Sequence, residues 1–124
     1  MIVAMKNVIL AGVCIKDDAK VFQMKMDECI ALCNACQLNV IETITQSANS
    51  MNTISAFRKG KLDKLRILVE EMDVDLVVFY NSLSVQMAER ISAVVGCNVI
   101  DRTALILDIF SSRARSRQAK LQTE

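Results

Sequence analysis

Histidine is absent from all 124 residues, which excludes Ser-His-Asp and Cys-His catalysis, His-coordinated zinc and an imidazole switch near neutral pH. Proline and tryptophan are absent too, and glycine occurs only as Gly12, Gly60 and Gly96. Low-complexity linkers, arrays of tight turns and glycine-rich phosphate cradles are therefore excluded, and most of the chain should be regular structure. One tyrosine and four phenylalanines are too few for a platform that stacks single-stranded bases. No apolar run approaches the roughly 20 residues that span a bilayer, so no membrane partner is expected. The length suits a single domain over residues 1–124 that buries enough surface to fold without a disulfide or a metal.

The net charge of +1 says nothing by itself about a polyanionic partner, but its distribution is uneven. Residues 58–66 carry Arg58, Lys59, Lys61, Lys64 and Arg66 against Asp63, a local charge of +4. Residues 111–124 carry Arg113, Arg115, Arg117 and Lys120 against Glu124, a local charge of +3. The rest of the chain is acidic, at −6. Two basic segments on an acidic body point to a polyanion. Cys14, Cys29, Cys33, Cys36 and Cys97 are an odd set of five, and the N-terminal Met-Ile-Val-Ala-Met run lacks the basic leader of an export signal. Read as reduced thiols, they indicate a cytoplasmic protein.

Four short runs rich in Val and Ile, Asn7–Val13, Asn39–Thr45, Asp75–Tyr80 and Asn98–Asp101, predict strands. Helical patterns separate them. Ala19, Phe22, Met26, Cys29, Cys33 and Cys36 recur at three- and four-residue steps. After Gly60, Leu62, Leu65, Leu68, Val69 and Met72 do the same; from Ser84 the pattern is Val85, Ala88, Ile91 and Val95, and Gly96 supplies the stop. A fourth helix starts near Asp101 or Thr103, either of which can cap it. The order β-α-β-α-β-α-β-α predicts an α/β fold of three layers, a four-stranded parallel sheet with helices on both faces. The first and third strands are the most continuously apolar and the second and fourth carry Glu42 and Asp101, which favours the spatial order 2-1-3-4. Ala104, Leu105, Ile106, Leu107, Ile109 and Phe110 surround the last helix with apolar side chains. One sheet face cannot cover such a helix, so another domain, a second copy of the chain or a later segment is expected to bury Leu105, Ile106, Ile109 and Phe110.

Cys29, Cys33 and Cys36 have the spacing by which radical enzymes hold a four-iron cluster. They lie on the stripe of Phe22 and Met26, so the expected role is three inert thiols packing a helix against the sheet, and no metal is expected. Arg58-Lys59-Gly60-Lys61 falls where a loop enters a helix, so open backbone amides, the helix dipole and three cations can face a phosphate. It is not a P-loop, which needs a second spaced glycine and a Lys-Ser/Thr pair. Arg113, Arg115 and Arg117 can meet phosphates, although alternate helical residues fan out by about 100° per step. Asp73 and Asp75 flank a turn, Glu70 and Glu71 occupy an exposed face, and Ser82 and Ser84 follow the third strand, where helix capping is the expected duty. No catalytic constellation results.

From Arg58 onward, RKGKLDKLRILVEEMDVDLVVFYNSLS and then NVIDRTALILDIFSSRARSRQAKLQ resemble the N-terminal domain of the HflX family of ribosome-associated GTPases. That family has a Gly-Lys-Gly-Lys-Val loop entering a helix, an Ala-Asp-Leu-Val-Ile-Phe strand, a Val-Ile-Asp-Arg-Thr turn and a Leu-Ile-Leu-Asp-Ile-Phe segment ending in Arg-Ala-Arg. Lys59, Gly60 and Lys61 match the basic glycine loop, with Arg58 in place of its first glycine. The resemblance places this loop against RNA of the large ribosomal subunit. It implies a helical hairpin and a G domain after the last helix, and GTP and magnesium bound in that G domain. This chain has no Gly-x-x-x-x-Gly-Lys-Ser/Thr, so it is expected to be the non-catalytic domain attached to the GTPase, without a cofactor of its own. The alternative from the residues is a standalone regulatory domain that binds a nucleotide at the carboxyl edge of its sheet or dimerises through its last helix.

Overall fold

The computed structural model describes residues 6–16, 19–48 and 56–107. Their order is β1 (Lys6–Ile15), α1 (Ala19–Ala35), β2 (Leu38–Ala48), α2 (Lys59–Glu71), β3 (Leu76–Phe79), α3 (Val85–Val95) and β4 (Asn98–Asp101). Residues 102–107 are helical. The four strands form one parallel sheet in the order β2-β1-β3-β4, as the apolar runs of β1 and β3 predict. Central strands lie between two helical layers and cannot alternate with polar residues; edge strands can.

Two cores arise from the alternation of side chains along each strand. Ile9, Ala11, Val13, Val77 and Phe79 face α2 and α3, where they meet Leu62, Leu65, Val69, Met87, Ile91 and Val95. Val8, Leu10 and Val78 face the opposite way, onto Phe22, Met26, Cys29 and Cys33 of α1 and onto Leu105. Gly12 lies on this second face, where a Cβ would stand 2.9 Å from Met26 Sδ and 3.1 Å from Phe22 Cζ. The glycine lets α1 sit against β1.

Local chemistry sets the helix ends. Ser84 Oγ accepts the Met87 N–H at 3.1 Å, and Gly96 ends α3 at φ 83°, with its N–H donated to the Ser92 carbonyl. Asp101, rather than Thr103, caps the last helix, its Oδ1 accepting the Ala104 N–H at 2.8 Å.

Three packing expectations are corrected. Val85 is 73% exposed and Met87 is buried in its place, because the buried strip of α3 runs through Met87, Ile91 and Val95 and the first residue of the helix lies off it. Ala19 is exposed, whereas Cys36, one residue past the end of α1, still packs against the core of Phe22, Met26, Cys29 and Cys33 as expected. Leu105 is 1% exposed: its side chain closes the α1-side core and is not part of an outward interface.

Candidate functional site

The start of α2 is fixed from below. Ala56 and Phe57 are fully buried, and the Phe57 ring packs on Phe79 at 5.2 Å between centroids. The Arg58 N–H donates to Gln46 Oε1 at 3.0 Å, which ties the helix entrance to β2. Arg58 is the N-cap residue, with extended backbone and no side-chain capping bond. The first bond of the helix runs from the Leu62 N–H to the Arg58 carbonyl at 2.9 Å. The amides of Lys59, Gly60 and Lys61 precede it, in the first turn whose donors a helix cannot satisfy internally. Lys59 and Gly60 are exposed and Lys61 is half-buried. A helix start with open amides, the positive end of the helix and flanking cations can hold an anion. No side chain is within 4 Å of where a Gly60 Cβ would stand, so the fold itself leaves this glycine replaceable.

The five cations of residues 58–66 do not act as one patch. Arg66 is paired with Glu70 at 3.5 Å. Lys61 and Lys64 turn toward β2, where with Glu42, Thr43, Ile44, Thr45 and Leu68 they line a cavity of about 300 Å³. Arg58 and Lys59 stand at the tip. Ile109, Phe110, Arg113 and Arg115, named from the sequence for the interface and for RNA, lie outside the described residues. Ile106 and Leu107 are 36% and 62% exposed.

The remaining candidates have structural duties. Asp75 Oδ2 accepts the Asn7 N–H at 3.1 Å while the Asp75 N–H donates to the Asn7 carbonyl, which joins the starts of β1 and β3. Asp73 is in a left-handed turn at φ 52°. Arg102 stacks over the Tyr80 ring at 4.9 Å. Cys29 and Cys33 are buried in the core, and among the described residues no group of three or more His, Cys, Asp or Glu could hold a metal ion. The Cys29 thiol is held below its ordinary range by a hydrogen bond with Cys33, and that same bond together with burial pushes Cys33 upward. No described helix is long and apolar enough to cross a membrane.

Sequence reasoning found the basic helix start but missed Gln46 and Asn81. The Asn81 carboxamide binds the Val13 backbone at the carboxyl edge of the sheet. Neither residue belongs to a local motif, and both act on partners far away in sequence.

A parallel sheet flanked on both faces, with one basic, amide-exposing helix start, defines an α/β domain with a candidate anion-binding tip. Residues 23–111 match the family described as GTP-binding GTPase N-terminal. A GTPase HflX from Alkalihalophilus pseudofirmus is 39% identical over 119 residues, covering 96% of this chain and 28% of that protein. The GTPase HflX of Escherichia coli K12 is 31% identical over 99 residues, covering 80% of this chain and 23% of that protein. The chain thus spans about a quarter of the length of these relatives. Among solved structures, the C-terminal catalytic domain of ISC1926 TnpA, an IS607-like serine recombinase, aligns with a TM-score of 0.55 at 24% identity, covering 94% of this chain and 85% of that one. At that identity the likeness is one of fold. The chain belongs to the GTP-binding GTPase N-terminal family and corresponds to the N-terminal domain of HflX.

Proposed function

We propose that this chain is the RNA-facing, non-catalytic N-terminal domain of an HflX-like GTP-binding protein in the cytoplasm. It contacts RNA of the large ribosomal subunit through Arg58, Lys59, Gly60 and Lys61 and couples that contact to a GTPase domain in cis. The observation that supports this reading best is the entrance of α2, where open amides and exposed cations are braced by Phe57 and by the bond from Arg58 to Gln46. GTP and magnesium belong to the G domain in this account, and no residue of this chain acts on them. Arg113 and Arg115 add charge to the RNA contact on sequence grounds.

The second half of the proposal rests on the last helix. Leu105 anchors its first turns to the core, whereas Ile106 and Leu107 remain on the outside. These two side chains form part of the surface that the helical hairpin or G domain covers in this reading; Ile109 and Phe110, grouped with them from the sequence, lie outside the described residues. In isolation the same surface favours self-association, which light scattering across a concentration series reads directly.

The test is a salt titration of binding between the chain and purified large ribosomal subunits. Affinity that falls steeply with added salt supports a phosphate contact. Absence of binding at low salt contradicts it.

A further inference from the structure

We propose that the groove between β2 and α2 extends the RNA surface: it seats a backbone phosphate between Lys61 and Lys64, and Glu42 sets the affinity by competing for that place. This rests on the reading of the α2 entrance as an RNA contact and adds to it Lys64, the Thr43 amide and an acidic regulator.

Ile44 is buried in the core under α2 and α3. Glu42 and Gln46, two positions to either side, share that face of β2, as the bond from the Arg58 amide to Gln46 confirms. On the opposite wall Lys61, Lys64 and Leu68 succeed one another at helical spacing along one side of α2. The groove they enclose, about 300 Å³, is lined by Lys61, Lys64 and Leu68 of α2 on one side and by Glu42, Thr43, Ile44 and Thr45 of β2 on the other. Among the described residues neither lysine has an ion-pair partner, in contrast to Arg66.

The edge already displays its chemistry. The Thr43 N–H donates to Glu42 Oε1 at 3.0 Å. A backbone donor that holds one anionic oxygen can hold another, and a phosphate would bring its own charge to Lys61 and Lys64. Glu42 therefore occupies the place of the ligand and lowers the positive potential of the groove. The same two features argue against a protein strand pairing here: Glu42 covers an edge donor, and the register of β1 with β2 shifts between Val8 and Ile9, opposite Ile41, which bends the edge.

The experiment measures binding of the full chain to purified large ribosomal subunits between roughly 50 and 200 mM salt, for the wild type, Lys64→Ala, Lys64→Arg, Glu42→Gln and Lys59→Ala. Lys64 and Glu42 are exposed, and glutamine still accepts the Thr43 N–H, so the fold should survive; thermal unfolding verifies it. Lys64→Ala should bind about threefold to tenfold more weakly with a salt slope reduced by about one, and Lys64→Arg should restore binding. Glu42→Gln should bind about threefold more tightly. If Lys59→Ala weakens binding while Lys64→Ala and Glu42→Gln leave it unchanged, the groove is overturned and the α2 entrance stands. If the wild type does not bind, or if Lys59→Ala, Lys64→Ala and Glu42→Gln all leave binding unchanged, both readings fall. Binding that ignores salt would assign the edge to strand pairing with a protein and overturn the proposal.

Discussion

Asn81 holds Val13 by both of its backbone groups: its carboxamide oxygen accepts the Val13 N–H at 2.6 Å and its amide donates to the Val13 carbonyl at 3.0 Å. The β3 ladder ends just before it, the Tyr80 N–H still reaching the Ala11 carbonyl. This crevice between β1 and β3 is where the chain departs to opposite faces, and open parallel sheets usually receive ligands at such a point. Here the chain fills it with its own side chain, which weighs against a nucleotide at the carboxyl edge. Asn81→Ala should cost about 1–3 kcal/mol, read as a shift in the denaturation midpoint with an unchanged slope.

The glycines give a contrast between folding and binding. Gly12→Ala places a methyl against Met26, Phe22 and Tyr80 and should destabilise by about 1–3 kcal/mol. Gly60 is helical with no side chain near its Cβ position, so Gly60→Ala should stabilise by about 0.5–1 kcal/mol. If RNA approaches the Gly60 backbone, that same variant should bind large subunits more weakly. Thermal unfolding and co-sedimentation of one preparation test both halves.

Asp101 joins two loops. Its Oδ2 accepts the Leu83 N–H at 2.8 Å and its Oδ1 caps the last helix at Ala104. Asp101→Ala should cost about 1–2 kcal/mol. Hydrogen exchange should quicken first in residues 102–107, while α2 keeps its protection.

Much of this was legible because the chemistry is local. The strand order reflects where apolar runs are continuous, Gly96 stops α3 because only a left-handed residue fits there, and Ser84 caps α3 from the residue just before it. The basic helix start could be read from four adjacent residues. The illegible part depends on long-range closure. Asn81 meets Val13 and Asp101 meets Leu83 across 68 and 18 positions, and no spacing rule announces either bond. Val85 and Leu105 exchanged their expected places because a stripe of apolar residues does not say which of its edges the sheet will cover. Lys61 and Lys64 separate from Arg66 only when β2 is set beside α2.

The thiols predict an alkaline limit. Burial and the nearby Asp75 charge raise the Cys97 thiol above its ordinary range. A raised thiol adds stability that is complete below the unfolded pKa and is lost as pH climbs above it. Between about pH 8 and about pH 10, the wild type should therefore lose more stability than Cys97→Ala, as measured by denaturant titrations at each pH.

The central claim is that the α2 entrance carries the RNA contact, and the most direct measurement is co-sedimentation with large ribosomal subunits of the wild type beside the Lys59→Ala, Lys61→Ala double variant. The account predicts salt-sensitive binding by the wild type, and for the variant weaker binding with a salt slope smaller by about two. Equal binding by both proteins at every salt concentration would contradict it.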